Sequence, residues 1–275
     1  MKKNQIRSFL VAGSLVLAGC SGAEPVVPAA PFPSQQGEEE TAQEPIKILS
    51  PTPEPSPTLQ PSETPPAVEP EAGAERVWEK DGAEMVYVPA GIFLMGSNED
   101  NDLADNDEYP QREIYLDGFW IDRFEVTNQQ YGLCVDDEVC NLPLEDGSFA
   151  RESYFRQLEF ANYPVVWLTW SDARRYCEWA GKELPTEAQW EKAARGTMQF
   201  TYHWGNNKPN QNLANYNSII GNTTSAGSYP EGVSPYGAMD MSGNAWEWVA
   251  DWFSDSVYDR TYAFNPVGPS EGEYK

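Results

Sequence analysis

Histidine is almost missing from this chain: His203 is the only one in 275 residues. A histidine-rich zinc or haem-type centre is therefore excluded, as is a histidine-rich catalytic site. Basic residues are also scarce, 18 against 43 acidic ones, which leaves a formal net charge of -25. Phosphate recognition needs clustered Lys and Arg, so nucleic acid is excluded as a partner. An acidic surface confers solubility and also suits bound cations such as Ca²⁺. No internal repeat is visible. The one sustained apolar run, Phe9 to Leu17, is too short to span a bilayer comfortably as a permanent helix.

That short run has a context. Lys2, Lys3 and Arg7 precede it, and Leu17-Ala18-Gly19-Cys20 closes it. A positive start, a short apolar core and small residues at the end describe an export signal. Small residues before a cysteine match the lipobox of bacterial lipoproteins, in which Cys20 would be acylated and become the new N-terminus. The alternative is an ordinary secretory signal with a chance cysteine. The expectation is a signal peptide over 1-20, an exported chain on the outer face of the cell envelope, and a membrane anchor through lipid on Cys20. Two or more acyl chains hold a protein stably on a membrane, where one is marginal.

Residues 21-76 read as a disordered tether. Proline recurs, as in Pro51-Thr52-Pro53-Glu54-Pro55-Ser56-Pro57, Glu38 to Glu40 form an acidic run, and large apolar residues are sparse. Such a segment buries too little to offset its ordering entropy. Its prolines favour extended polyproline II, which makes it a spacer with reach.

At Val77 the composition changes, and all ten tryptophans fall between Trp78 and Trp252. Residues 77-275 are expected to form one α+β domain with much irregular structure. Met85 to Val88 and Gly91 to Met95 read as two short strands around a Pro89-Ala90 turn, and Glu113 to Ile121 as another strand or pair. Thr127 with Gln130, and Thr186 with Gln189, form capping boxes that open helices. Ser171 is the expected N-cap of a helix over Asp172 to Ala180 that Gly181 ends, and Gly196 stops the helix after Arg195.

Several stretches coincide with one family. Met85-Val86-Tyr87-Val88-Pro89-Ala90-Gly91 and Met95-Gly96-Ser97 come first, then Phe119-Trp120-Ile121-Asp122 with Glu125-Val126-Thr127-Asn128 and Tyr131. Pro164-Val165-Val166-Trp167, Trp179-Ala180-Gly181-Lys182 and Leu184-Pro185-Thr186-Glu187-Ala188-Gln189-Trp190-Glu191 follow. Asp240-Met241-Ser242-Gly243-Asn244-Ala245-Trp246-Glu247-Trp248 closes the series. In this order the blocks resemble the formylglycine-generating enzyme (sulfatase-modifying factor) family, whose fold is a compact, irregular α+β domain related to C-type lectin-like folds. Glu183 departs from the family's usual Arg. The tryptophans are expected to be packing anchors of a domain with little regular structure.

The resemblance implies a Ca²⁺ site in the closing block, with side-chain oxygens from Asp240 and Glu247 and backbone carbonyls from Gly243 and Ala245. Hard cations prefer such mixed oxygen ligands. On spacing alone the same stretch reads as a Gly243-Asn244 turn with Glu247 solvated. A second family calcium site would use Asn215 and the carbonyl of Tyr216. The acidic stretch Glu99, Asp100, Asp102, Asp105 and Asp107 lacks the order and central glycine of an EF-hand loop and reads as solvated. In true formylglycine generators a later region carries two cysteines that bind copper(I), as suits soft thiolates. By this comparison the chain looks C-terminally truncated, so copper is expected only if that region carries the cysteine pair, and no catalytic residue is assigned. Cys134 and Cys140 read as a local disulfide or, alternatively, a metal-binding thiol pair. Cys177 aligns with a family cysteine whose partner lies in the absent region, so it is expected to be an unpaired buried thiol. Two functions remain open: a non-catalytic module that binds a protein or glycan ligand or scaffolds an envelope assembly, and a copper-dependent oxidase that converts a sulfatase-type cysteine to formylglycine with O₂. Fold alone does not separate them.

Overall fold

The computed structural model describes residues 15–16, 19–22, 69–98, 101, 104, 108–253, 264–269 and 271–272. The charged start of the export signal, most of the tether and nearly all of the acidic stretch after Asn98 lie outside the described residues. The architecture is α+β with few helices.

The strands are β1 (Leu15–Val16), β2 (Ser21–Gly22), β3 (Glu75–Val77), β4 (Glu84–Val88), β5 (Gly91–Met95), β6 (Arg112–Leu116), β7 (Phe119–Asp122) and β8 (Trp246–Glu247). The helices are α1 (Asn128–Asp136), α2 (Trp170–Trp179) and α3 (Glu187–Arg195). One sheet runs β2-β7-β4-β3, all antiparallel, with Val86 opposite Ile121. A hairpin pairs β5 with β6, Phe93 opposite Ile114, and β1 lies parallel to β8. The stretch expected as a strand or pair is thus two strands, β6 and β7. Hydrogen bonding reaches back to Gly73, whose N–H donates to the Tyr87 carbonyl. The folded region therefore takes in residues on the tether side of the expected boundary at 77.

Each helix begins at a capping box. Thr127 with Gln130 opens α1, and Thr186 with Gln189 opens α3. For α2 the cap is Thr169 with Asp172, not Ser171, and Trp170 is the first helical residue. Thr169 wins because Asp172 stands three residues on and reaches back to its N–H, satisfying two orphan donors at once.

Two cores result. The first packs Val86, Phe93, Ile114 and Ile121 against Ala188, Ala193 and Ala194 of α3. The second packs Val126, Tyr131, Val165, Leu168 and Tyr176 around Cys177, with Trp170, Trp179 and Trp248 along its margin. The fully buried large anchors are Tyr131, Tyr154, Tyr176 and Phe93, whereas most tryptophans are half-buried and Trp246 is 48 % exposed. The expectation that Trp246 is a packing residue is corrected. An indole keeps one N–H that needs a partner, and Trp78, Trp170 and Trp248 meet this at the core margin by donating to the carbonyls of Ala180, Val249 and Leu168.

Cysteine pairing departs most from expectation. Cys134 and Cys140 are joined. Cys177 is not free: it is joined to Cys20, 157 residues away. The physical reason is that Gly19 to Gly22 lie inside the fold, with Cys20 fully buried against α2. A sulfur engaged with Cys177 cannot also carry a thioether-linked lipid, so this form of the chain differs from the acylated one expected at Cys20.

Candidate metal site

The loop after Met239 is shaped by backbone that few residues adopt. Asp240 has φ +62°, Gly243 φ +143° and Asn244 φ +60°. Glycine is required at 243, because a Cβ there would lie 2.6 Å from the Asn215 carbonyl oxygen. That close approach lets Asn244 N–H donate to the same carbonyl at 2.8 Å. Asn215 in turn donates through its amide to the Asn222 carbonyl and to Asn244 Oδ1. The two stretches expected as separate calcium sites are therefore neighbours. The Tyr216 carbonyl accepts from Ile219 N–H at 3.1 Å, and its hydroxyl donates to the Pro209 carbonyl at 3.0 Å.

Asp240 is buried and Glu247 half-buried. Gly227 N–H donates to Asp240 Oδ2 at 2.7 Å, while buried Oδ1 has no partner. Trp190 Nε1–H donates to Glu247 Oε2 at 2.5 Å. Burial pushes Asp240 up to about 6 and Glu247 up to about 7. Sequence reasoning missed a third member, Glu125, which lies just before α1 and is 1 % exposed. Neither of its carboxylate oxygens has a partner at full hydrogen-bond geometry, and only the Asn244 side chain and its own backbone partly relieve the charge. Burial raises Glu125 well above the usual carboxylate range, and the charges of Asp240 and then Glu247 add to this. Its sequence position was legible within the Glu125-Val126-Thr127-Asn128 block, but nothing there signalled burial.

Two buried carboxylates and the half-buried Glu247, with three oxygens that lack a hydrogen-bond partner, offer the oxygen donors that a hard cation takes. Among the described residues, no three His, Cys, Asp or Glu side chains converge tightly enough to hold an ion by themselves. Backbone carbonyls would have to complete the shell. The Gly243 carbonyl accepts one bond, from Ala245 N–H at 2.7 Å, which leaves its second lone pair. Asp240, Glu247, Glu125 and the carbonyls of Gly243 and Ala245 would be the oxygen ligands of a Ca²⁺ ion bound here. They do not suit copper(I): the chain's four cysteines form two disulfides and offer no thiolate. His203 lies next to the loop, its Nδ1 2.9 Å from Ser242 Oγ, and burial pushes it down to about 4, so it is neutral.

A second buried charge cluster escaped sequence reasoning. Lys182 Nζ lies 2.7 Å from Asp81 Oδ2 and 2.9 Å from Asp122 Oδ2, fully buried. Tyr176 O–H and Ala83 N–H donate to Asp81, and Cys20 N–H donates to Asp122 Oδ2 at 2.8 Å.

Comparison with known proteins agrees with this architecture. A family described as "Sulfatase-modifying factor enzyme 1-like domain" matches residues 71–273. The chain belongs to this family. It is 30 % identical to a formylglycine-generating enzyme of Thermomonospora curvata, over 68 % of this chain and 78 % of that protein. It is 37 % identical to serine/threonine-protein kinase pkn1 of Chlamydia caviae over 70 % of this chain, which spans only 32 % of the kinase's length. Among solved structures, PvdO from Pseudomonas aeruginosa superposes with a TM-score of 0.62 at 26 % identity, covering 74 % of this chain and 84 % of PvdO.

Proposed function

We propose that this chain is an exported, envelope-tethered module of the sulfatase-modifying factor family that binds or scaffolds a protein or glycan partner and carries out no oxidation. The observation that carries this reading is that these residues offer no pair of thiolates: Cys134 is joined to Cys140, and Cys177 is joined to Cys20 or, once Cys20 is acylated, stands as a lone thiol. Oxidation of a substrate cysteine through copper(I) needs a pair of soft thiolate ligands, and no such pair is available among these residues. Ca²⁺ belongs to the proposal as a structural ion: it is redox-inert and would neutralise Asp240, Glu247 and Glu125 beneath the loop. In the processed chain, membrane attachment runs through acylated Cys20 and the Pro/Glu-rich tether.

The competing reading, a formylglycine-generating oxidase, draws support from the Thermomonospora relative. An assay of the purified chain on a Cys-containing sulfatase peptide, with copper and O₂, separates the two. The peptide is expected to return unchanged, and its conversion to the aldehyde would end the non-catalytic reading. Mass spectrometry of the membrane-extracted N-terminal peptide tests the anchor. Acylated Cys20 is expected, and an unmodified peptide spanning Gly19-Cys20 would count against it.

A further inference from the structure

From Thr197 to Pro230 the chain changes character. Lys208 is the only charged residue in that stretch, in a protein of which 22 % of residues are charged and whose net charge is -25. Seven asparagines fall between 206 and 222. Asn215 and Asn222 are engaged in internal hydrogen bonds beside the metal loop. Asn206, Asn207, Asn212 and Asn217 are exposed, as is Gln211. The acidic protein thus carries one neutral, carboxamide-rich surface.

An aromatic pair stands at the edge of this surface. Tyr202 N–H donates to the Gly205 carbonyl at 3.1 Å and Gly205 N–H donates back to Tyr202 at 3.0 Å, which makes 202–205 a two-residue hairpin. His203 is 1 % exposed and anchors the hairpin through Nδ1, 2.9 Å from Ser242 Oγ. Tyr202 and Trp204 are half-buried, and their rings stack at 4.9 Å with planes 10° apart. Two contacts fix the indole: the His203 ring meets it edge-on at 4.6 Å, and its Nε1–H donates to the Asn207 carbonyl at 3.0 Å. Tyr216 is close by. Burial raises the Tyr202 hydroxyl above its ordinary range, and the Tyr216 phenol adds to this. The rings are therefore held in place before any ligand arrives, and a ligand that used them would lose little affinity to ordering.

A sugar ring has an apolar face of C–H bonds and a rim of hydroxyls that both donate and accept. Aromatic rings cover such a face. Carboxamides, with a donor and an acceptor each, answer such a rim. A phosphorylated or carboxylated ligand would instead need clustered Lys or Arg, and the negative charge of the rest of the chain repels it. We propose that Tyr202 and Trp204, with Tyr216 and the carboxamides of Asn206, Asn207 and Asn217, form a binding platform for a run of neutral sugar rings. This rests on the binding-module reading above and specifies the ligand class of that module.

Calorimetric titration of the full-length chain with chitohexaose, cellohexaose and maltohexaose tests this, with hexagalacturonate as the anionic counterpart. Binding of at least one neutral hexasaccharide is expected, and none of hexagalacturonate; the N-acetylated and unsubstituted arms tell the two kinds of neutral glycan apart. Trp204→Ala should weaken that binding at least about tenfold, as truncation of an aromatic anchor does. Should Trp204→Ala fail to fold, the triple variant Asn206→Ala, Asn207→Ala and Asn217→Ala changes only exposed side chains and should weaken binding about fivefold or more. No binding of any neutral hexasaccharide at millimolar concentration, binding unchanged in the folded variants, or equal binding of hexagalacturonate overturns the proposal. A chain that binds none of these sugars yet leaves the sulfatase peptide unchanged loses this site and keeps the module reading. Conversion of the peptide ends that reading, while the titrations still decide the platform.

Discussion

Asp122 and Glu125 stand three residues apart, yet they lie in buried clusters of opposite kind. Around Asp122 the charges are answered: Lys182 sits between it and Asp81, and N–H and O–H donors from Cys20, Ala83 and Tyr176 fill the remaining positions. Burial still pushes Asp122 up to about 6, against the pull of Lys182. Around Glu125 no cation is present among the described side chains, and three carboxylate oxygens lack a partner at full hydrogen-bond geometry, with only Asn244 partly relieving Glu125. A buried ion pair with its hydrogen bonds made is self-sufficient, whereas buried carboxylates without a counter-charge need either protons or a metal. The first cluster is a fixture of the fold; the second is a place where solution conditions enter it.

The largest effect should come from breaking the complete cluster. Lys182→Met strands two buried carboxylates and is expected to cost about 3–5 kcal/mol, measured by urea denaturation. A loss below about 1 kcal/mol would mean that water reaches the site. Next comes the incomplete cluster. Calcium at a hundredfold excess over its dissociation constant should add about 2.7 kcal/mol, seen as a rise in melting temperature, and magnesium should add less because it demands stricter octahedral geometry. Glu247→Gln and Glu125→Gln should each blunt this response. A calcium response unchanged in both variants would place the ion elsewhere.

Without calcium, the incomplete cluster should also set a pH dependence. Its carboxylates bind protons more tightly folded than unfolded, so their contribution is greatest below the ordinary value of 4.5 and is lost as pH rises through about 7 for Glu247. Denaturation in a chelator between pH 4 and pH 7 should show stability falling toward neutral pH, by an amount on the order of 3 kcal/mol for Glu247. Calcium should flatten the slope, and a slope of opposite sign would show that these groups are solvated. The smallest effect is local: Thr169→Ala should cost about 1 kcal/mol through the lost cap, while Ser171→Ala should stay within about 0.5 kcal/mol. Equal losses at both positions would break the assignment of the cap.

Contrasting these sites shows what the sequence carries. Elements set by near neighbours were legible: the capping boxes at Thr127 and Thr186, the strands β4 and β5 on either side of the Pro89-Ala90 turn, and the tight turn at Gly243. Thr169 was legible in principle, from Asp172 three residues on, but Ser171 drew the assignment because it directly precedes the acidic first turn. The clusters were not legible, because Asp81, Asp122 and Lys182 meet across some hundred residues, and no periodicity marks a charged residue as buried. The Cys20–Cys177 bond was not legible for a different reason. The local context of Cys20 answers to an export and acylation signal, and nothing nearby points to Cys177.

One further feature bears on how this chain can diverge. Lys192 of α3 is 1 % exposed and donates from Nζ to the carbonyls of Pro89 and Gly91, at 2.7 and 2.9 Å. Burial pushes it down to about 8. In effect this side chain completes the β4–β5 turn by serving two carbonyls with one flexible donor, and helix and turn are thereby locked into a single unit of variation. Replacing Lys192 with an apolar residue orphans both carbonyls. Replacing it with Arg puts a planar fork where a compact ammonium fits. A drifting sequence can therefore change this position only together with the Pro89-Ala90-Gly91 turn, so the two segments, about a hundred residues apart, are expected to tolerate substitution only as a pair.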